Sequence, residues 1–335
     1  MTALLGAIPS PPSNGFHVGP LFFHAYGIAY VVAVAAAIII SRRRWARVGG
    51  DPELPVEIAM WAFPAGLVGG RIYFDVTTPA KMPHHWWGPF AIWDGGLGIW
   101  GGVAGGVIAG LWVAHRRLTH EQMLQLMDIV GPALLVSQSI GRLGNYFNQE
   151  LFGGPSSLPW ALEISRAHRV AELAPRYWRY STFEPTFLYE IVWNMLWFGV
   201  LSWLWRRRAV RAPGLFWLYV AGYSGFRVFE ETQRIDYSNY FLGMRVNFWI
   251  ASLLCVFALA CFALVQRGFR GWGAPAAEPA PPGTRYGRNP ASPPPEVPRP
   301  SGTVAPAGAG SAGGSGSTGT RRPPPPPRKR SRRGR

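Results

Sequence analysis

Seven runs of apolar residues divide the first four-fifths of the chain, at about 21–40, 56–76, 92–114, 123–140, 186–205, 214–229 and 246–265. A helix rises about 1.5 Å per residue, so roughly 20 apolar residues span a hydrocarbon core of about 30 Å. Lipid offers no partner to a free backbone N–H or C=O, so each run predicts a helix. The second, fourth and sixth runs are weaker signals, because glycine, proline or charge interrupts them. The pattern predicts an all-α integral membrane fold of seven transmembrane helices.

The polar positions between the runs orient them. Arg42, Arg43, Arg44 and Arg47 follow the first run, Arg116 and Arg117 the third, Arg206, Arg207, Arg208 and Arg211 the fifth, and Arg267 and Arg270 the seventh. Positive charge gathers on the cytoplasmic side, so odd-numbered spans are expected to end there and the N-terminus to lie outside. The 2–3 loop, which carries only Lys81, agrees with this. Residues 1–20 then form an extracytoplasmic segment, 21–265 the membrane domain, and 141–183 a small external loop domain. No lysine or arginine precedes the first run, so a cleavable leader is not expected.

Glycine spacing adds a packing expectation. Gly98, Gly102, Gly106 and Gly110 recur every fourth residue, as do Gly101 and Gly105, which gives a strip that lets a neighbouring helix approach. A smooth groove for a lipid chain is the alternative use of such a strip. Residues 266–335 are expected to form a disordered cytoplasmic tail. From Gly271 this stretch is rich in proline, glycine, alanine and arginine and has little to bury.

Composition supports a membrane protein. Of 335 residues, 48% are hydrophobic and only 15% charged, against about a quarter charged in soluble domains. The net charge of +16 would suggest nucleic acid in a soluble chain. Here the arginines cluster after apolar runs and in the tail, so no nucleic-acid partner is expected. Cys255 and Cys261 share one run, roughly 9 Å apart along a helix, too far for a disulfide. No metal-binding spacing of cysteine and histidine occurs, and no cofactor is expected.

Charged residues within spans are costly, about 2.5–3.5 kcal/mol near the centre, and so are candidates for function. One cluster is 141–150, Gly-Arg-Leu-Gly-Asn-Tyr-Phe-Asn-Gln-Glu, at the outer end of the fourth run. Arg142 offers a planar fork suited to phosphate. Asn145 and Asn148 add neutral donors, and Glu150 can orient an arginine or act as a base. A second cluster, Tyr223, Arg227 and Glu231, shares one helix face, with Arg234 one turn on. A third is His24-Ala25-Tyr26-Gly27. For each cluster the plainer reading is structural: a polar helix end, a paired charge, an interfacial histidine. Taken together they suggest two arginines converging on an anion near the outer leaflet.

The 141–150 cluster resembles the signature G-R-x-G-N-[FY]-x-N-x-E of bacterial prolipoprotein diacylglyceryl transferases, with every fixed position met. His24-Ala25-Tyr26-Gly27 resembles that family's H-x-Y-G. Trp93-Asp94-Gly95-Gly96 with Gly101-Gly102 resembles its glycine-rich third span. Pro185 to Glu190 resembles P-x-x-L-Y-E, and Arg227, Glu231 and Arg234 match R-x-x-x-E-x-x-R. The likeness covers about residues 20–265. It implies the family's seven-span fold in a bacterial plasma membrane. It also implies transfer of diacylglyceryl from phosphatidylglycerol to the lipobox cysteine of prolipoproteins, giving a thioether and glycerol 1-phosphate. On that likeness Arg142 and Arg227 hold the headgroup and leaving phosphate, while Asn145 and Glu150 shape the site. Tyr26 touches the headgroup, Glu231 positions Arg227, and Asn148, Tyr223 and Arg234 complete the lipid-binding set.

Two positions depart from the family pattern. Many members carry histidine in the third-span glycine motif, where this chain has Trp100, and Trp cannot take a proton. Members often have histidine before the P-x-x-L-Y-E proline, where this chain has Glu184. Glu184, Glu150 and His24 are therefore the candidate bases. A transporter, or a scaffold recruiting partners through its proline-rich tail, are the competing readings. No internal repeat supports the first, and the second leaves the 141–150 cluster unexplained.

Overall fold

A computed structural model describes residues 7–79, 85–91, 96–269 and 271–280. Lys81, Trp93 to Gly95, Arg270 and the basic cluster 328–333 lie outside these residues. The described part is helical apart from short hairpins. A hairpin of β1 (Gly15–Val18) and β2 (Leu21–His24) leads into α1 (Ala25–Arg47), α2 (Leu54–Thr77), α3 (Ile99–Arg117) and α4 (His120–Asn148). A compact segment follows, with β3 (Leu162–Glu163), the short α5 (Arg166–Glu172) and β4 (Thr182–Phe183). Then come α6 (Thr186–Arg207), α7 (Gly214–Gln233), the hairpin β5 (Tyr240–Phe241) and β6 (Met244–Arg245), and α8 (Val246–Gln266). Among the described residues α1, α4, α6 and α8 are long and apolar enough to cross a membrane.

Each apolar run has its helix, with shifted ends. The first begins at Ala25 rather than 21, because residues 21–24 pair as β2 with β1. The fourth extends to Asn148, so the signature cluster lies on the last turns of α4 and not in a loop starting at 141. A capping box opens α4: the Thr119 side chain accepts from the Gln122 N–H and the Gln122 side chain reaches back. Gln149 closes it in the left-handed conformation, φ 52°. The buried Gln149 side chain accepts from the Ser165 N–H at 2.8 Å and from Ser10 Oγ at 3.2 Å, tying the helix end to both flanking segments.

The long helices pack most extensively as α2 on α3, α1 on α4 and α7 on α8. The α2–α3 contact is made by backbone on backbone. Gly66, Gly69 and Gly70 of α2 face Gly98 to Gly106 of α3, and the Gly98 N–H donates to the Gly70 carbonyl at 2.8 Å. The glycine strip thus serves helix packing. A Cβ at Gly105 would stand 3.1 Å from the Ala65 carbonyl carbon, with its oxygen closer still. Gly105→Val is therefore expected to lower stability by about 1–3 kcal/mol. Gly110→Ala, whose Cβ would meet Ile58 and Ala62 at 3.4 and 3.9 Å, should be close to neutral. Thermal unfolding of the two purified variants in detergent checks the contrast.

The arginines that follow α1 divide. Arg42 pairs with Glu53 at 2.5 Å on the surface. Arg44 turns inward, donates to Ser202 Oγ at 2.6 Å and lies over the rings of Phe198 and Trp205, fixing α1 against α6. At the same end, α7 starts after Pro213 without a side-chain cap of its own. Asp128 of α4 supplies one by accepting from the Phe216 N–H at 3.0 Å. Residues 271–280, the first of the expected tail, lie against this end. Ala274 is buried and bridges to Ala212, and Gln125 donates to the Pro275 carbonyl at 3.3 Å.

At the other end, residues 149–185 build their own small core. Phe152, Leu162, Ile164, Leu173 and Phe183 are buried together and pack on Phe187 of α6. This core sits directly over the ends of α4 and α6, where the charged residues are.

Candidate functional site

Four helices bring charge to one place inside the bundle. Arg142 comes from the last turns of α4 and Glu190 from the first turns of α6. Arg227, Glu230 and Glu231 come from the last turns of α7, and Arg245 from the cap of α8. Glu190, Glu230 and Glu231 are each at most 2% exposed. A buried charge at such depth is stable only when paired and hydrogen-bonded.

The pairing is shared. Arg142 Nη2 lies 2.5 Å from Glu190 Oε2 and 4.0 Å from Glu230 Oε2. Arg227 Nη1 lies 2.5 Å from Glu230 Oε2 and 3.7 Å from Glu190 Oε2. The two guanidinium groups therefore flank one pair of carboxylates, and they sit on the same side of the bundle. Arg227 Nη2 also donates to Glu231 Oε1.

Behind Arg227 is a second layer. Arg245 Nε donates to Glu231 Oε2 at 2.7 Å and its Nη2 to Asp236 Oδ2 at 2.9 Å. Arg234 grips Asp236 with two bonds of 2.8 and 2.9 Å, a bidentate fork. Burial works to raise the Asp236 carboxyl, but Arg234 and then Arg245 outweigh it and hold that group below the usual carboxylate range. Glu231 is thus fixed from behind while it fixes Arg227 in front.

On the α4 side, Arg142 Nη1 donates to Asn145 Oδ1 at 3.3 Å, and Asn145 Nδ2 donates to Glu150 Oε1 at 2.9 Å. Asn148 Nδ2 reaches the same Glu150 oxygen at 3.2 Å. Gly144 is needed here: a Cβ would collide with the Tyr26 ring of α1. With only hydrogen at 144, Tyr26 lies flat on α4, within electrostatic reach of Glu150 and Arg142.

A cleft of about 670 Å³ opens from this network. Its polar end is formed by Tyr26, Arg142, Asn145, Glu190 and Tyr223, and its long wall by apolar residues of α1, α2 and α4. A cavity with one charged end and one greasy wall fits an anionic amphiphile. Guanidinium donors held in a water-poor site can also stabilise charge that develops on a departing phosphate.

The candidate residues separate into two groups. Arg142, Asn145, Asn148, Glu150, Tyr26, Tyr223, Arg227, Glu231 and Arg234 belong to the network or its cleft. His24 and Glu184 do not. His24 is exposed at the start of α1, edge-on to Phe22 at 4.8 Å. Glu184 accepts from the Tyr189 hydroxyl, which accepts from Trp160. Trp100 is 45% exposed on the first turn of α3.

Sequence reading alone missed Glu190, Glu230 and Arg245 as site residues. Signals for two of them were present. Glu230 and Glu231 stand three and four residues after Arg227, so both can reach it. Glu190 and Asn194, one turn apart, are polar positions within an otherwise apolar run. Arg245 carried no such signal, because its partners meet it only through the turn after α7.

Comparison with known sequences places the chain in a family. A family model described as prolipoprotein diacylglyceryl transferase matches residues 14–264. A phosphatidylglycerol–prolipoprotein diacylglyceryl transferase of Frankia alni is 42% identical over 269 residues, covering 79% of this chain and 69% of that protein. One of Bifidobacterium adolescentis is 36% identical over 275 residues, covering 78% and 81%. A third, of Streptomyces coelicolor, is 40% identical over 264 residues, covering 78% and 81%. With the signature of 141–150 intact on α4 and its arginine facing Arg227 across two carboxylates, the chain belongs to the prolipoprotein diacylglyceryl transferase family.

Proposed function

We propose that this protein transfers the diacylglyceryl group of phosphatidylglycerol to the lipobox cysteine thiol of prolipoproteins, the first step of lipoprotein maturation. The sulfur attacks the glyceryl carbon, the C–O bond to phosphate breaks, a thioether forms and glycerol 1-phosphate leaves. The observation that carries this reading is the meeting of Arg142 and Arg227 at the charged end of an apolar cleft. The phosphodiester lies between the two guanidinium groups and the acyl chains run along the apolar wall. Asn145, Asn148 and Glu150 hold Arg142. Tyr26 and Tyr223 line the headgroup, and Glu231 with Arg234 holds Arg227.

All seven long helices cross the plasma membrane in this reading, α2, α3 and α7 included. Their shortfall in apolarity is met by glycine packing and internal ion pairs. The arginine-rich helix ends face the cytoplasm, so the charged network and residues 149–185 lie on the outer side, where prolipoproteins arrive.

The test uses the full chain in detergent with phosphatidylglycerol and a lipobox peptide, followed by mass spectrometry. The expected product is the peptide carrying one diacylglyceryl group on cysteine, with release of glycerol 1-phosphate. Folded protein that leaves the peptide mass unchanged at saturating lipid would refute the proposal.

A further inference from the structure

The thiol must lose a proton to become a nucleophile, and Trp100, on the first turn of α3, cannot accept it. Of the three candidate bases, His24 and Glu184 lie away from the charged network. Glu150 is held by two asparagine amides that donate to one of its oxygens. The network itself contains a better-placed group. Glu190 lines the cleft, and Glu230 stands behind it within hydrogen-bonding reach. Both Oε1 atoms are buried and accept no hydrogen bond from any other group. Glu230 occupies a free position of the R-x-x-x-E-x-x-R pattern, so nothing in the family signature demands it.

Charge balance gives the pair its purpose. Facing the two carboxyls are Arg142 from α4 and Arg227, Tyr223 and Tyr219 from α7, while Arg234 and Arg245 balance Glu231 and Asp236. With the cleft empty, two arginines balance two carboxylates. A phosphodiester inserted between the arginines adds one negative charge. Three anions against two cations in a low-dielectric site favour the uptake of one proton, and two adjacent carboxyls with free oxygens can share it.

We infer that Glu190 and Glu230 form a proton-sharing carboxyl pair that accepts the proton of the lipobox thiol once phosphatidylglycerol is bound. The proton leaves sulfur for Glu190 at the cleft wall and is shared with Glu230. The thiolate electron pair then forms the S–C bond while the C–O electrons depart with glycerol 1-phosphate, which takes the proton on release. Lipid binding thereby raises the basicity of the acceptor at the moment it is needed. The inference rests on the proposed transferase reaction.

The experiment compares pH–rate profiles of the wild-type chain, Glu230→Gln and Glu230→Asp with phosphatidylglycerol and a lipobox peptide, alongside lipid KM and thermal unfolding. Glu230→Gln is expected to lower kcat about a hundredfold near neutral pH, the lower end of general-base contributions, with lipid KM little changed. Its rate should climb with pH towards the thiol's own ionisation, near about 8.5. Glu230→Asp should restore much of the wild-type profile. A Gln variant with the wild-type profile would overturn the inference, and so would a loss that is equal at every pH. If Glu230→Gln does not fold, Glu190→Gln takes its place with the same expectations. A wild-type chain that transfers nothing would instead sink the reaction on which the inference rests.

Discussion

Arg142→Ala and Arg227→Ala are each expected to bring diacylglyceryl transfer to the detection limit. Removing one preorganised donor from such a site costs about 10²–10³ in turnover, and in the proposed reading each arginine also binds the lipid phosphate. The structure adds a complication. Arg142 is the 2.5 Å partner of fully buried Glu190, and Arg227 of Glu230. An alanine leaves a carboxylate stranded, which destabilises by about 3–5 kcal/mol. Loss of activity in a single variant would mix the two effects. Arg142→Ala combined with Glu190→Gln removes the stranded charge, so thermal stability should return towards wild type while transfer stays absent. Transfer by the double variant at the rate of Glu190→Gln alone would show that Arg142 serves only to neutralise Glu190. Arg142→Lys keeps the charge but loses the planar fork, and should hold the fold with a large loss of kcat.

Arg245→Ala is expected to produce the second largest effect, although this side chain stands behind the cleft. It binds Glu231 and Asp236 through separate nitrogens and the Asp236 carbonyl at 2.9 Å. Its removal should lower stability by roughly 3 kcal/mol, since Glu231 keeps Arg227 and Arg234 as partners. Turnover should fall as well, because Glu231 can then shift with the Arg227 it orients. Thermal unfolding and kcat measured on one preparation check both. The same layer has a pH signature. The Asp236 carboxyl is held below its ordinary value. Its contribution is therefore fully present above the unfolded carboxylate range and is lost as pH falls through the depressed folded value. The loss from this group should accumulate as pH falls from the unfolded carboxylate range to that depressed value, and stop below it. Asp236→Asn should remove the dependence, and an unchanged acid limb would refute the assignment.

Much of this organisation could be read from the chain. Each apolar run became a helix because its length and the backbone's need for partners leave little alternative in lipid. The ends were misplaced where local pairing competes with apolarity. Leu21 to His24 are hydrophobic enough for a span, yet the turn at Gly19 folds them onto β1. Gly141 and Gly144 read as loop residues but sit in α4, where Gly144 makes room for Tyr26. At the site, the residues of one face or one short segment were legible from spacing. The carboxylates that join α4, α6 and α7 were not, because a single chain does not state which helices face one another. The motif glutamate at 190 was noticed without its partner, and Glu230 gained meaning only when Arg142 appeared opposite it.

The shared ion pairs also bear on how the molecule is made. The ribosome delivers α4 before α6 and α7, so Arg142 enters the bilayer before either of its carboxylates has been synthesised. A half-built chain thus carries a lone guanidinium at the end of α4, and the counterion at hand is the phosphate of a surrounding lipid. In a membrane stripped of anionic lipid, biogenesis of this enzyme should falter at that stage, before any shortage of substrate is felt.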